Sequence, residues 1–159
     1  MNSVFPFFKW VGSTSISKLI NDSSWMFPAI EAVHIVALAL LFGAALVLNL
    51  RLLGVMLRGV PVSRLARELA PWTFCSLTAI LVSGALLFAS ESVKSFYSIP
   101  FRVKIVLLVA AIAFHYTVGR KVSLMEEGRI TPLFSKVTGI VGIVLWFSVG
   151  FAGRAIAFF

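Results

Sequence analysis

Apolar residues fall into four long runs separated by short polar segments, and this pattern predicts an all-α protein. The nineteen residues between Glu31 and Arg51 carry no charge apart from any on His34. A helix rising ~1.5 Å per residue over that length crosses a hydrocarbon core of ~30 Å. The expected spans are about 25–50, 71–90, 101–119 and 133–157, opening near Pro28, Pro71, Pro100 and Pro132. Proline costs little in a first turn, where its missing N–H would have no helical partner. Ser24 and Thr131 stand where caps belong. The expected fold is a transmembrane four-helix bundle, a single integral membrane domain over 1–159 with an N-terminal interfacial segment.

The segments between the runs are shorter and mixed. Residues 1–24 carry Phe5, Phe7, Phe8 and Trp10, then a polar stretch, then Ile16, Leu19 and Ile20. They form either an amphipathic helix at the headgroups or a frayed tail. No cleavable signal is expected, because the start is uncharged and Lys9 and Lys18 interrupt the apolar residues. After Pro61, VSRLARELA reads as a short surface helix, and Glu91 to Pro100 as a polar connection. Thr73, Ser76, Thr78, Ser83 and Gly84 on the second span, and Gly139, Gly142, Gly150 and Gly153 on the fourth, suit close helix packing.

Composition agrees: 60% of the 159 residues are hydrophobic, 13% are charged, and mean hydropathy is +1.02. A net charge of +8 could suggest nucleic acid, but the bases flank apolar runs instead of forming one patch. Nucleic-acid binding is therefore not expected. The linkers after spans one and three hold Arg51, Arg58, Arg64, Arg67, Arg120, Lys121, Arg129 and Lys136. The opposite side holds Lys9, Lys18, Lys94, Arg102, Lys104 and Arg154, two of them inside spans. The basic linkers belong in the cytoplasm and both termini outside it. The lone Cys75 excludes an internal disulfide and any CxxC site.

Counted from the basic linkers, His34, Lys104 and Arg154 all lie ~24–27 Å up a straight helix, so they share one level. Glu31 lies slightly higher, three residues from His34 on one face, and Glu91 and Arg102 belong to the same zone. Charged groups so deep either line a site or snorkel to the headgroups. The Glu31-x-x-His34 spacing matches half of a di-iron bundle motif, but the second pair and two further carboxylates are missing. His115 follows Lys104 by eleven residues, within about 20° of the same direction. Lys104, Leu108, Ala111 and His115 thus form one inward stripe. At the depth of His115, Thr73, Cys75 and Ser76 offer partners, so the imidazole is either satisfied by a hydroxyl or part of a site. His34 and His115 differ by roughly 18 Å in depth. They are not expected to clamp one haem within a protomer.

Ala32-Val33-His34 with Gly43 and Leu50-Arg51, and the third-span segment from Lys104 to Phe114-His115, resemble the copper-resistance-D-like superfamily of bacterial inner-membrane proteins. That superfamily includes the membrane-embedded protoporphyrinogen IX oxidase. Leu50 stands where the oxidase pattern has proline, and Gly153-Arg154-Ala155-Ile156 is more similar to uncharacterised four-helix members. The resemblance implies a bacterial inner membrane with periplasmic termini, a first-span histidine on haem at His34, and an essential lysine at Lys104. Soft copper ligands are not expected, since Met1, Met26, Met56 and Met125 form no stripe with Cys75.

The leading expectation is a b-type haem, or a quinone, bound near the outer face in a redox pathway. His34 would ligate the metal, with Lys104, Arg102 or Arg154 against propionates; Glu31 and His115 are further candidate residues. One alternative is a non-catalytic anchor subunit of a larger complex, another a transporter of metal or small ions. A homo-oligomer or a larger membrane complex is compatible with each. Whether the protein is an enzyme is left open by the sequence.

Overall fold

The structure, a computed structural model, describes residues 4–125 and 131–156. In chain order the helices are α1 (Phe5–Gly12), α2 (Ser15–Asp22), α3 (Met26–Leu52), α4 (Val62–Ser90), α5 (Ser92–Tyr97) and α6 (Ile99–Phe114). A π-helical turn (His115–Gly119), α7 (Arg120–Leu124) and α8 (Pro132–Ala155) follow. Among the described residues there is no strand. Four stretches are long and apolar enough to cross a membrane: Met26–Leu52, Val62–Ser90, Ile99–Leu124 and Pro132–Ala155. The fold is an all-α four-helix bundle, and the chain is a multi-pass membrane protein. Large apolar side chains such as Val36, Val106, Phe147 and Phe151 are exposed, as lipid-facing positions require.

Several boundaries depart from the sequence reading. Pro71 lies inside α4, which absorbs the predicted surface helix. Its ring removes only the bond to the Arg67 carbonyl, and the helix runs on through it. Ser24 does not cap α3, whose N-cap is Trp25; the Ser23 hydroxyl accepts from the Met26 N–H at 3.3 Å in the turn before it. The third span continues past Gly119 through the π turn to Leu124. The supposed polar connection after Glu91 contains α5. Ser98 and Thr131 cap α6 and α8 as N-cap acceptors, with Pro100 and Pro132 in the first turns. Glu126, Glu127 and Arg129 of the second basic linker lie outside the described residues.

The helices pack in the order α4–α3–α8–α6, while α4 and α6 make little direct contact. Their shared core is Ala37, Leu41 and Ala45 of α3, Leu77 and Ile80 of α4, Ala111 of α6, and Trp146 and Val149 of α8. Small residues set the α3–α8 approach. A Cβ on Gly139 would lie 2.8 Å from the Asn49 carbonyl oxygen, and one on Gly142 2.8 Å from the Asn49 amide carbon. Asn49, buried there, donates to the Ala45 carbonyl at 2.8 Å. Two buried threonine hydroxyls are satisfied along their own helices: Thr73 donates to Leu69, and Thr138 to Phe134. At the far end of α3, Gly54 turns the chain at φ +73, and Arg51 Nε holds the loop by donating to the Val60 carbonyl at 2.7 Å.

At the other end, α1 and α2 lie across the bundle instead of fraying. Phe8 meets Phe88 and Phe96 edge-on at 5.3 and 5.2 Å between centroids. The Ser92 hydroxyl donates to the Phe8 carbonyl at 2.9 Å, and the Asn21 amide to the Ser90 carbonyl at 3.2 Å. These ties hold an aromatic cover over the slot between α4 and α6.

Candidate functional site

Because α4 and α6 stand apart, the bundle holds a cavity of about 340 Å³ between them. Leu41 of α3 with Trp146 and Val149 of α8 form its floor, and Leu81, Ala85 and Ile105 flank its lipid side. Phe8, Phe88 and Phe101 close the top, and the polar lining is His34 and Lys104. That size falls in the range of small-molecule sites, roughly 300–1,000 Å³.

The His34 ring is fixed from two directions. Gly84 gives it room, since a Cβ there would come within 3.2 Å of the ring carbon Cε1. Its Nδ1 lies 2.8 Å from the Ser83 hydroxyl. That hydroxyl has one proton, which it donates to the Ala79 carbonyl at 2.5 Å. With the hydroxyl proton on that carbonyl, the matching tautomer carries its proton on Nδ1, toward Ser83, and has its lone pair on Nε2. An imidazole whose Nδ1–H is held by a neighbour presents Nε2 as a ligand or proton acceptor. Lys104 reaches the same cavity with its terminal carbon and nitrogen against Gly153, where a Cβ would sit 3.5 Å from each.

Other expected members of this level point elsewhere. Glu31 is exposed and does not line the cavity, because three residues at helical spacing turn it about 60° away from His34. Arg154 is exposed too, although its neighbour Gly153 packs on Lys104. Arg102 lies over the Phe96 ring at 5.5 Å and donates to the Phe96 carbonyl, so it fastens α5. Glu91 pairs with Lys94 at 3.3 Å. Of the residues expected at this level, the cavity brings together only His34 and Lys104.

His115 follows the expected stripe inward, with Leu108 lining the cavity and Ala111 buried between. It lines a second cavity toward the basic end, of about 490 Å³. Trp146 lies between the two, flooring the first and meeting the His115 ring at 6.3 Å. The expected hydroxyl partner is absent among the described residues: Thr73 bonds its own helix, and Cys75 is exposed. Ser83, Gly84 and Phe8 were legible as packing or interfacial residues only. Nothing in a single sequence pairs them with His34 across dozens of positions. Among the described residues, no three His, Cys, Asp or Glu side chains gather into a metal-ion cage.

Fold and cavity together define a four-span membrane protein with a lipid-side apolar slot and one oriented histidine. The chain belongs to a family of unknown function (DUF6644), whose sequence model matches residues 7–159. No curated protein and no solved structure matches it.

Proposed function

We propose that this protein binds a b-type haem in the slot between α4 and α6, as part of a redox pathway, with His34 as the axial ligand. The observation that carries this reading is the His34–Ser83 hydrogen bond through Nδ1, which orients the ring in an apolar cavity and leaves Nε2 as the nitrogen for a ligand. The mostly apolar walls suit a hydrophobic macrocycle, and Lys104 supplies the positive charge that a propionate needs. Haem would supply one-electron chemistry; the chain holds it, orients it and keeps water away through Phe8, Phe88 and Phe101. A quinone would need the opposite tautomer, with a proton on Nε2 to donate to its carbonyl. The resemblance to the copper-resistance-D-like superfamily, with a first-span histidine and a third-span lysine, supports the same choice.

Protein purified after expression with a haem precursor should show a Soret band and, on reduction, the visible bands of a b-type haem, at one haem per chain. Protein that stays colourless despite the added precursor would remove this function and leave a non-catalytic anchor subunit. On this reading the slot faces the outer side of a bacterial inner membrane with periplasmic termini, an orientation supported by the basic linkers. A reporter fused at Gly59 should then read as cytoplasmic, and one after Phe159 as external; the reverse pattern would invert the site.

A further inference from the structure

The second cavity, toward the basic end, has a chemistry of its own. It is lined by Arg67 of α4 and by His115, Tyr116, Arg120 and Ser123 of the third span, against an apolar wall that includes Phe74. The π turn builds this arrangement. Its i→i+5 bonding stacks residues five apart, so His115 and Arg120 fall on one side, where an α-helix would separate them widely.

Polar capacity in this cavity exceeds what the protein uses. Among the described residues, neither Arg67 nor Arg120 has a carboxylate partner, whereas neighbouring Arg64 pairs with Glu68 at 2.9 Å. His115 makes ring contacts with Tyr116 and Trp146 but no hydrogen bond among the described residues. The Ser123 hydroxyl is fully buried at the wall with no hydrogen-bond partner. Two arginines, an imidazole and a hydroxyl line one cavity at the end of the spans, beside an apolar face.

We propose that this cavity binds a phosphate group, with an anionic phospholipid headgroup as its source and the acyl chain along the Phe74 wall. Arginine forks match phosphate oxygens in pairs, and basic pockets between spans hold anionic headgroups for this reason. The site stands apart from the His34 cavity and does not depend on haem being bound there.

Native mass spectrometry of the full chain in detergent, titrated with phosphatidylglycerol or with phosphatidylcholine, tests the proposal. One phosphatidylglycerol should bind at least tenfold more tightly than phosphatidylcholine. The Arg67→Gln/Arg120→Gln variant should lose that preference. Arg58→Gln/Arg64→Gln, which removes equal charge at the same end outside the cavity, should keep it. Circular dichroism shows whether each variant is folded, and Ser123→Val supplies a second, uncharged perturbation that should weaken binding several-fold. Displacement of the bound lipid by millimolar inorganic phosphate would keep the phosphate site and make the free anion its source. Equal lipid binding by wild type and the Arg67/Arg120 variant, or equal loss in both double variants, would overturn the proposal.

Discussion

His34→Ala is expected to abolish the Soret band, whereas His115→Ala keeps most of it. The asymmetry follows from where the two imidazoles lie. His34 lines the slot between α4 and α6 with Nδ1 committed to Ser83, while His115 lines the other cavity beyond Trp146. Ser83→Ala should retain the haem but broaden and shift the band, because the ring loses the partner that fixes its tautomer; such partners typically contribute 10–100-fold in metal affinity. Lys104→Ala should bind haem more weakly with an unshifted band, since the amine pairs with charge and does not ligate. Absorption spectra of the four purified variants check this order. Equal loss at His34 and His115 would contradict it.

Gly139→Ala is expected to produce the largest loss of stability, and Gly43→Ala almost none. The added Cβ at 139 would lie 2.8 Å from the Asn49 carbonyl oxygen and 3.1 Å from the Leu53 side chain, so α3 and α8 must move apart. Overpacking of this kind costs about 1–3 kcal/mol, and backbone on the receiving side puts Gly139 at the upper end. Gly142→Ala should cost less, because it displaces the Asn49 side chain rather than backbone. Nothing lies within 4 Å of a Cβ at Gly43, where alanine also favours the helix. Thermal unfolding in detergent, followed by circular dichroism, should rank the variants in that order. A Gly139→Ala melting temperature equal to that of Gly43→Ala would mean that α3 and α8 do not pack as described.

Apolar run length made the four spans legible, and prolines with capping residues located α6 and α8 to within a residue or two. Helical rise alone put His34 and Lys104 at one depth. What it could not supply was rotation: Glu31 and Arg154 were expected at that depth yet are exposed and outside the cavity, because azimuth depends on which side each helix turns to its neighbours. The gap between α4 and α6 was equally hidden, since it arises from how four helices close a ring. Nor did the third span advertise its π turn, where a Thr117 hydroxyl bond to the Ala113 carbonyl and Gly119 are the only local hints. That one change of register brings Arg120 beside His115. Pro71 misled for the opposite reason, marking a helix start by rule in a place where the helix continues.

Replacing His34 with glycine and adding imidazole asks directly whether this ring is the ligand. The substitution empties the space beside Gly84 and Ser83 without disturbing the floor of the slot. His34→Gly protein should lack the Soret band and regain it saturably as imidazole is titrated in, at one haem per chain. A full Soret band in His34→Gly protein before any imidazole is added would show that His34 does not hold the haem.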